Sequence, residues 1–145
     1  MIIRPLSAGD EADWRRMWTA YLAFYNANVT EAVYAATFAR LLPGGSEDMH
    51  GLIAVGDDGA PIGIVNFIFH RHGWREEDVT YLQDLFVDEA VRGTGAGRAL
   101  IEAVYAAADA AGKPAVYWMT QDFNHNARML YDRIATLTPF IKYQR

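Results

Sequence analysis

The chain has 145 residues, 52 % of them hydrophobic, a net charge of −5 and no cysteine. That length and apolar content suit one folded domain, and a domain of this size buries about two-thirds of its unfolded surface. The missing cysteine excludes disulfides, thiolate metal sites and a cysteine nucleophile. The acidic balance speaks against nucleic-acid binding, which calls for a basic surface.

Taken in order, Ile2 to Arg4 reads as a first strand closed by Pro5. Nothing at this end resembles a signal peptide, and no apolar run approaches the roughly 18 residues of a membrane span, so a cytoplasmic protein is expected. Asp10 to Asn26 reads as a helix capped by Asp10. Its Trp14, Trp18, Tyr21 and Tyr25 recur at three- and four-residue steps on one face, for core packing and, in part, for walling a cleft. Thr30 to Leu42 reads as a second helix capped by Thr30 and stopped by Pro43-Gly44-Gly45.

Gly51 to Val55 is predicted as a strand, with a turn at Gly56 to Gly59. Pro61 to His70 follows, apolar on both parities and therefore central; the sequence offers no reason for its Gly63. Arg71 to Asp78 reads as a polar hairpin loop at the mouth of a site or at a subunit contact. His70 and His72 could share a strand face, but no third ligand stands at metal-binding spacing, so no metal is expected.

Tyr81 to Val87 is a short apolar, aromatic strand, followed by a polar link from Asp88 to Arg92. Then come Gly93, Thr94, Gly95, Ala96, Gly97 and Arg98, leading into an alanine-rich helix that ends near Gly112, with Pro114 beyond. A strand, a glycine loop and a helix start present unpaired N–H groups and a positive dipole end to an anion, each contact contributing about 0.3–1 kcal/mol. A P-loop is excluded because the one Gly-Lys, Gly112-Lys113, precedes Pro114. A dinucleotide loop is excluded because Arg98 takes the third glycine position. Val116 to Thr120 is predicted as a buried strand, Asn124 to Ile134 as the last helix, and Phe140 to Gln144 as a final strand. The order β-α-α-β-β-β-α-β-α-β reads as an α/β or α+β domain spanning 1–145.

The remaining pattern, Arg92-x-x-Gly95-x-Gly97, resembles the acyl-CoA pyrophosphate loop of the GNAT superfamily of N-acetyltransferases. A second block, Val116 to Thr120 and then Asn124-x-x-Ala127-x-x-Leu130-Tyr131, matches the same superfamily in the expected order. The resemblance is strong over about residues 80 to 134. It implies a mixed central sheet with splayed strands, about four flanking helices, and transfer of an acetyl group from acetyl-CoA to an amine. It implies that the loop from Gly93 to Arg98, with Arg92, holds the pyrophosphate. Backbone groups near Phe86 and Val87, and Asn124, would hold the pantetheine arm. Tyr131 would protonate the departing thiolate.

No cysteine is present, and the only serines, Ser7 and Ser46, lie in no nucleophile elbow, so direct attack by the amine is expected. Tyr81 to Val87 resembles the strand of diamine acetyltransferases that carries two adjacent acids. Here the first is Gln83, and alternation sends the second, Asp84, to the opposite face. A water chain ending at Gln83, Asp84 or a loop acid such as Glu77 is one route for the amine proton. The expected acceptor is a small-molecule amine such as an amino acid or polyamine. The alternatives are a protein lysine or N-terminus, or an acyl-CoA-binding module without turnover. A lone last strand suggests a homodimer.

Overall fold

The computed structural model describes all of residues 1–145. Five strands form one sheet in the order β1-β2-β3-β4-β5: β1 Ile2–Pro5, β2 Met49–Val55, β3 Pro61–His70, β4 Val79–Val87 and β5 Val116–Tyr117. The first four are antiparallel neighbours, and β5 runs parallel to β4, so the sheet is mixed. Four helices flank it: α1 Glu11–Phe24, α2 Glu31–Leu41, α3 Ala96–Ala110 and α4 His125–Ile134. No helix is long and apolar enough to cross a membrane.

β3 is central and buried on both parities, as its sequence requires. Ile64 faces Trp14, Met17, Trp18 and Phe38 of α1 and α2. Val65 and Phe67 face Leu100, Ile101 and Val104 of α3. Gly63 gains its reason here: a Cβ would stand 2.9 Å from the Phe86 carbonyl oxygen and 3.0 Å from Leu100 Cδ1. Only hydrogen lets α3 lie that close to β3.

Thr30 caps α2 by accepting from the Val33 N–H at 3.4 Å. Asp10 does not cap α1. Its carboxylate instead takes two hydrogen bonds from Arg4, at 2.7 and 2.9 Å, and two from Ser7, at 2.7 and 2.9 Å. A bidentate guanidinium partner outcompetes a neutral N–H for one carboxylate.

Two predicted strands change. β5 is two residues long and only partly covered, where the sequence predicts five buried ones. Phe140 to Gln144 forms no strand; the segment is irregular, and Phe140, Ile141 and Tyr143 are 81, 77 and 91 % exposed. Strand-forming residues pair only where an edge is offered, and β5 is too short to offer one.

Candidate active site

β4 and β5 pair only at Thr80 with Val116 and Tyr81 with Tyr117. Beyond Tyr81, β4 stays paired with β3 as far as Val87, while its other edge has no strand beside it. The two strands therefore splay, leaving the outer edge of β4 without a strand along Leu82 to Val87, where Tyr21 takes the Gln83 carbonyl and Arg92 the Val87 carbonyl.

The junction into α3 gathers unpaired backbone donors. Gly93 and Gly95 adopt positive φ, +81° and +92°, which an L-side chain rarely takes, and Gly95 is the N-cap residue. From Gly93 to Arg98, six consecutive N–H groups have no acceptor within the chain. Ala99 is the first to find one, the Gly95 carbonyl at 3.0 Å. Thr94 Oγ1 donates to the Val91 carbonyl at 2.6 Å, holding the loop's shape. Ala96 is buried and anchors the first turn. Arg92 lies back along the strand, its Nε donating to the Val87 carbonyl at 3.0 Å and its guanidinium 5.9 Å from the Phe86 ring. Arg98 pairs with Glu102 at 2.7 Å on the exposed face of α3.

Asn124 precedes α4. Its side chain does not cap the helix; Nδ2 donates to Thr120 Oγ1 at 3.1 Å, and its carbonyl accepts from the Arg128 N–H. About two turns further on, Tyr131 packs against Trp118 at 5.4 Å between ring centres. Its hydroxyl has no hydrogen-bond partner in the chain. Burial, with the Tyr25 phenol as a lesser influence, pushes its pKa up to about 12. A phenol so placed keeps its proton at neutral pH and has it free to give.

The predicted opposite facing of Gln83 and Asp84 is overturned. Asn66 of β3 pairs with Asp84, and the next residue, Phe67, pairs with Leu82, so Gln83 is an extra residue in a β-bulge. The bulge cancels the alternation, and both side chains face α1. Gln83 is exposed in a cavity of about 250 Å³, whose walls include Tyr21 of α1, Tyr25 just past its end, Tyr81 of β4, Thr120 and Lys142. Asp84 lies behind that wall, 7 % exposed. Its Oδ2 accepts from Trp18 Nε1 at 3.2 Å and from Asn66 Nδ2 at 3.0 Å, while Asn66 Oδ1 accepts from Trp14 Nε1 at 3.2 Å. The two indoles stack with ring centres 4.8 Å apart. Asn66, which the sequence gives no reason to single out, thus links three elements beneath the site.

Burial raises the Asp84 pKa, opposed by the hydrogen bonds it accepts. The Tyr21 hydroxyl donates to the Gln83 carbonyl at 3.3 Å and stands close enough to the Asp84 carboxylate for the two to influence each other's ionisation. Burial, with the Asp84 charge second, raises Tyr21 and Tyr25. Along this aromatic face Trp14 and Trp18 are core, while Tyr21 and Tyr25 line the cavity.

The polar loop 71–78 encloses a larger cavity of about 470 Å³, lined by its own residues and by no hydrophobic one. It shares no lining residue with the cavity beside Gln83, and Glu77 is engaged by Arg75 at 3.4 Å. His70 Nε2 meets the Tyr117 hydroxyl at 2.8 Å, while His72 Nδ1 accepts from the Trp74 N–H. The two histidines thus serve separate partners, and no group of three or more His, Asp or Glu side chains is placed to hold a metal ion.

The family model described as "Acetyltransferase (GNAT) family" matches residues 14–135. A D-amino-acid N-acetyltransferase, HPA3 of Saccharomyces cerevisiae, is 35 % identical over 145 residues, covering all of this chain and 90 % of that protein. Among solved structures, the chain resembles AAC(6')-Iy in complex with the bisubstrate analog CoA-S-monomethyl-acetylneamine, with a TM-score of 0.85 and 19 % identity over 99 % of this chain and 96 % of that one. It also resembles a ribosomal-protein-alanine N-acetyltransferase from Brucella melitensis biovar Abortus 2308, with a TM-score of 0.79 and 21 % identity over 100 % of this chain and 99 % of that one. At such identities these structures speak for the fold alone. The family match and the 35 % identical relative go further: the chain belongs to the acetyltransferase (GNAT) family and is an acetyl-CoA-dependent N-acetyltransferase.

Proposed function

We propose that this protein acetylates a primary amine of a small molecule, an amino acid or a similar amine, by direct attack within a ternary complex. The observation that carries the reading is the row of six unpaired N–H groups from Gly93 to Arg98, set beside the open edge of β4. The curated relative acts on D-amino acids by name, which supports a small acceptor.

Acetyl-CoA supplies a thioester carbonyl to be attacked and a thiolate to leave. The N–H groups of Gly93 to Arg98 bind its diphosphate, with Arg92 and Arg98 adding charge at the rim. The open edge of β4 near Phe86 and Val87 orients the pantetheine arm, and Asn124 adds a polar contact. Holding two reactants in line makes available about 7–11 kcal/mol. The acceptor ammonium lies in the cavity beside Gln83, and its proton passes by way of the Tyr21 hydroxyl to Asp84. Its nitrogen then forms the C–N bond as the C–S bond breaks, Tyr131 gives its phenolic proton to the sulfur, and the second proton lost by the nitrogen returns to the Tyr131 phenolate.

The binding-only alternative rested on the missing acid at position 83, and Asp84, facing the same side, weakens it. We further propose a cytoplasmic homodimer, one domain of 1–145 in each copy, joined through the exposed apolar side chains Phe140, Ile141 and Tyr143. Thiol release from acetyl-CoA, measured against amino acids, polyamines and peptide amines, tests the reading. Release with small amines supports it. Tight CoA binding without release from any amine contradicts it, and release with peptides alone transfers it to a protein acceptor.

A further inference from the structure

The cavity beside Gln83 carries a charge pattern that narrows the acceptor. Its walls hold three tyrosines and no aspartate or glutamate, and Lys142 is its one cationic side chain. The chain has two lysines. Lys113 is paired with Asp78 at 3.6 Å, while Lys142 forms no ion pair with any carboxylate of the chain. Asp84, the nearest acid behind the wall, is occupied by Trp18 and Asn66. The volume, about 250 Å³, lies below the roughly 300–1,000 Å³ of sites for drug-sized ligands.

From this arrangement we infer that Lys142 binds the carboxylate of the acceptor, so that the enzyme selects amines carrying their own α-carboxylate, free amino acids, over polycationic amines. The inference rests on the acetyltransfer proposed above and adds a specificity-determining residue to it. The ammonium end of such an acceptor sits toward Gln83 and Tyr21, and the carboxylate end toward the C-terminal segment that delivers Lys142. A polyamine would instead place a second cation against Lys142 with no acid in the wall to receive it. Like charges brought together in this way disfavour the wrong acceptor as much as the ion pair favours the right one.

The test compares kcat/KM for an amino acid and for its carboxamide, in the native protein and in Lys142→Ala, Lys142→Arg and Lys142→Glu. Taking the acid-to-amide ratio within each protein, and comparing ratios between proteins, cancels the different basicity of the two amines. The ratio is expected to fall about tenfold in Lys142→Ala, the low end for a charged hydrogen bond at an open site, to recover largely in Lys142→Arg, and to fall furthest in Lys142→Glu. The change is expected in the KM for the acceptor, with the KM for acetyl-CoA unmoved. An unchanged ratio across the variants, in a protein that still acetylates both amines, overturns the role of Lys142 while sparing acetyltransfer. Absence of turnover with every amine overturns both.

Discussion

Gln83 and Asp84 are consecutive residues of β4, yet both side chains face α1, because Gln83 is the extra residue of a bulge opposite Asn66 and Phe67. The bulge puts the carboxylate behind the cavity beside Gln83, where the sequence alone would put it on the far side of the sheet. Asp84→Asn is therefore expected to lower kcat by about a hundredfold or more, with the KM for acetyl-CoA unchanged.

The same substitution makes a stability prediction of definite sign. Burial raises the Asp84 pKa in the folded state above its unfolded value, so the folded protein binds this proton more tightly. Its favourable contribution is present below the unfolded pKa, near 3.8, and is lost as pH rises through the folded pKa. Asp84→Asn lacks that loss. The difference in Tm, variant minus native, is expected to grow as pH rises from 4 to 7, measured by scanning calorimetry in a pH series.

Asp10 behaves in the opposite way. The Arg4 guanidinium and the Ser7 groups hold its carboxyl well below the usual range. Its contribution is present above the unfolded pKa and lost as pH falls through the folded one. Arg4 is about two-fifths exposed, so the pair is discounted for solvent. Asp10→Asn is expected to cost about 1–2 kcal/mol at pH 7, and less at pH 3, by urea denaturation.

Tyr131 is expected to act in the leaving-group step alone. Tyr131→Phe keeps the packing on Trp118 and removes the proton. The kcat should fall by about 10²-fold or more, with CoA affinity retained. An acyl-donor thioester with a thiol of much lower pKa should restore much of the loss, since such a sulfur leaves without protonation.

Gly95 and Gly63 separate two uses of glycine. Gly95→Ala must hold a side chain at φ +92°, a strain of roughly 1–2 kcal/mol, and should weaken CoA binding with the rest of the fold intact. Gly63→Ala pushes a methyl against the Phe86 carbonyl and Leu100, and should lower Tm by disturbing the packing of α3 on β3, costing about 1–3 kcal/mol.

The sequence made the glycine loop proposed to hold the diphosphate legible because its pattern is local: glycines, an arginine and a helix start stand together in seven residues. Helices α1, α2 and α3 were legible from their apolar spacing and stops, with Thr30 capping as expected and Asp10 diverted to Arg4. Three features depended on partners distant in sequence. The bulge at Gln83 is set by the register against β3. The buried role of Asn66 needs Trp14 and Asp84 brought to it from 52 residues before and 18 after. The C-terminal segment has strand-forming residues, but its pairing depends on an edge that β5, two residues long, does not supply.

The central claim is that the backbone from Gly93 to Arg98 grips the diphosphate of the acyl donor. Titration of the ¹⁵N-labelled protein with CoA tests it directly by following each amide. The account predicts that the largest and saturable shifts fall on Gly93 to Arg98, and that pantetheine, which lacks the diphosphate, leaves those amides nearly unmoved. CoA binding that perturbs other amides and leaves these six in place would contradict it.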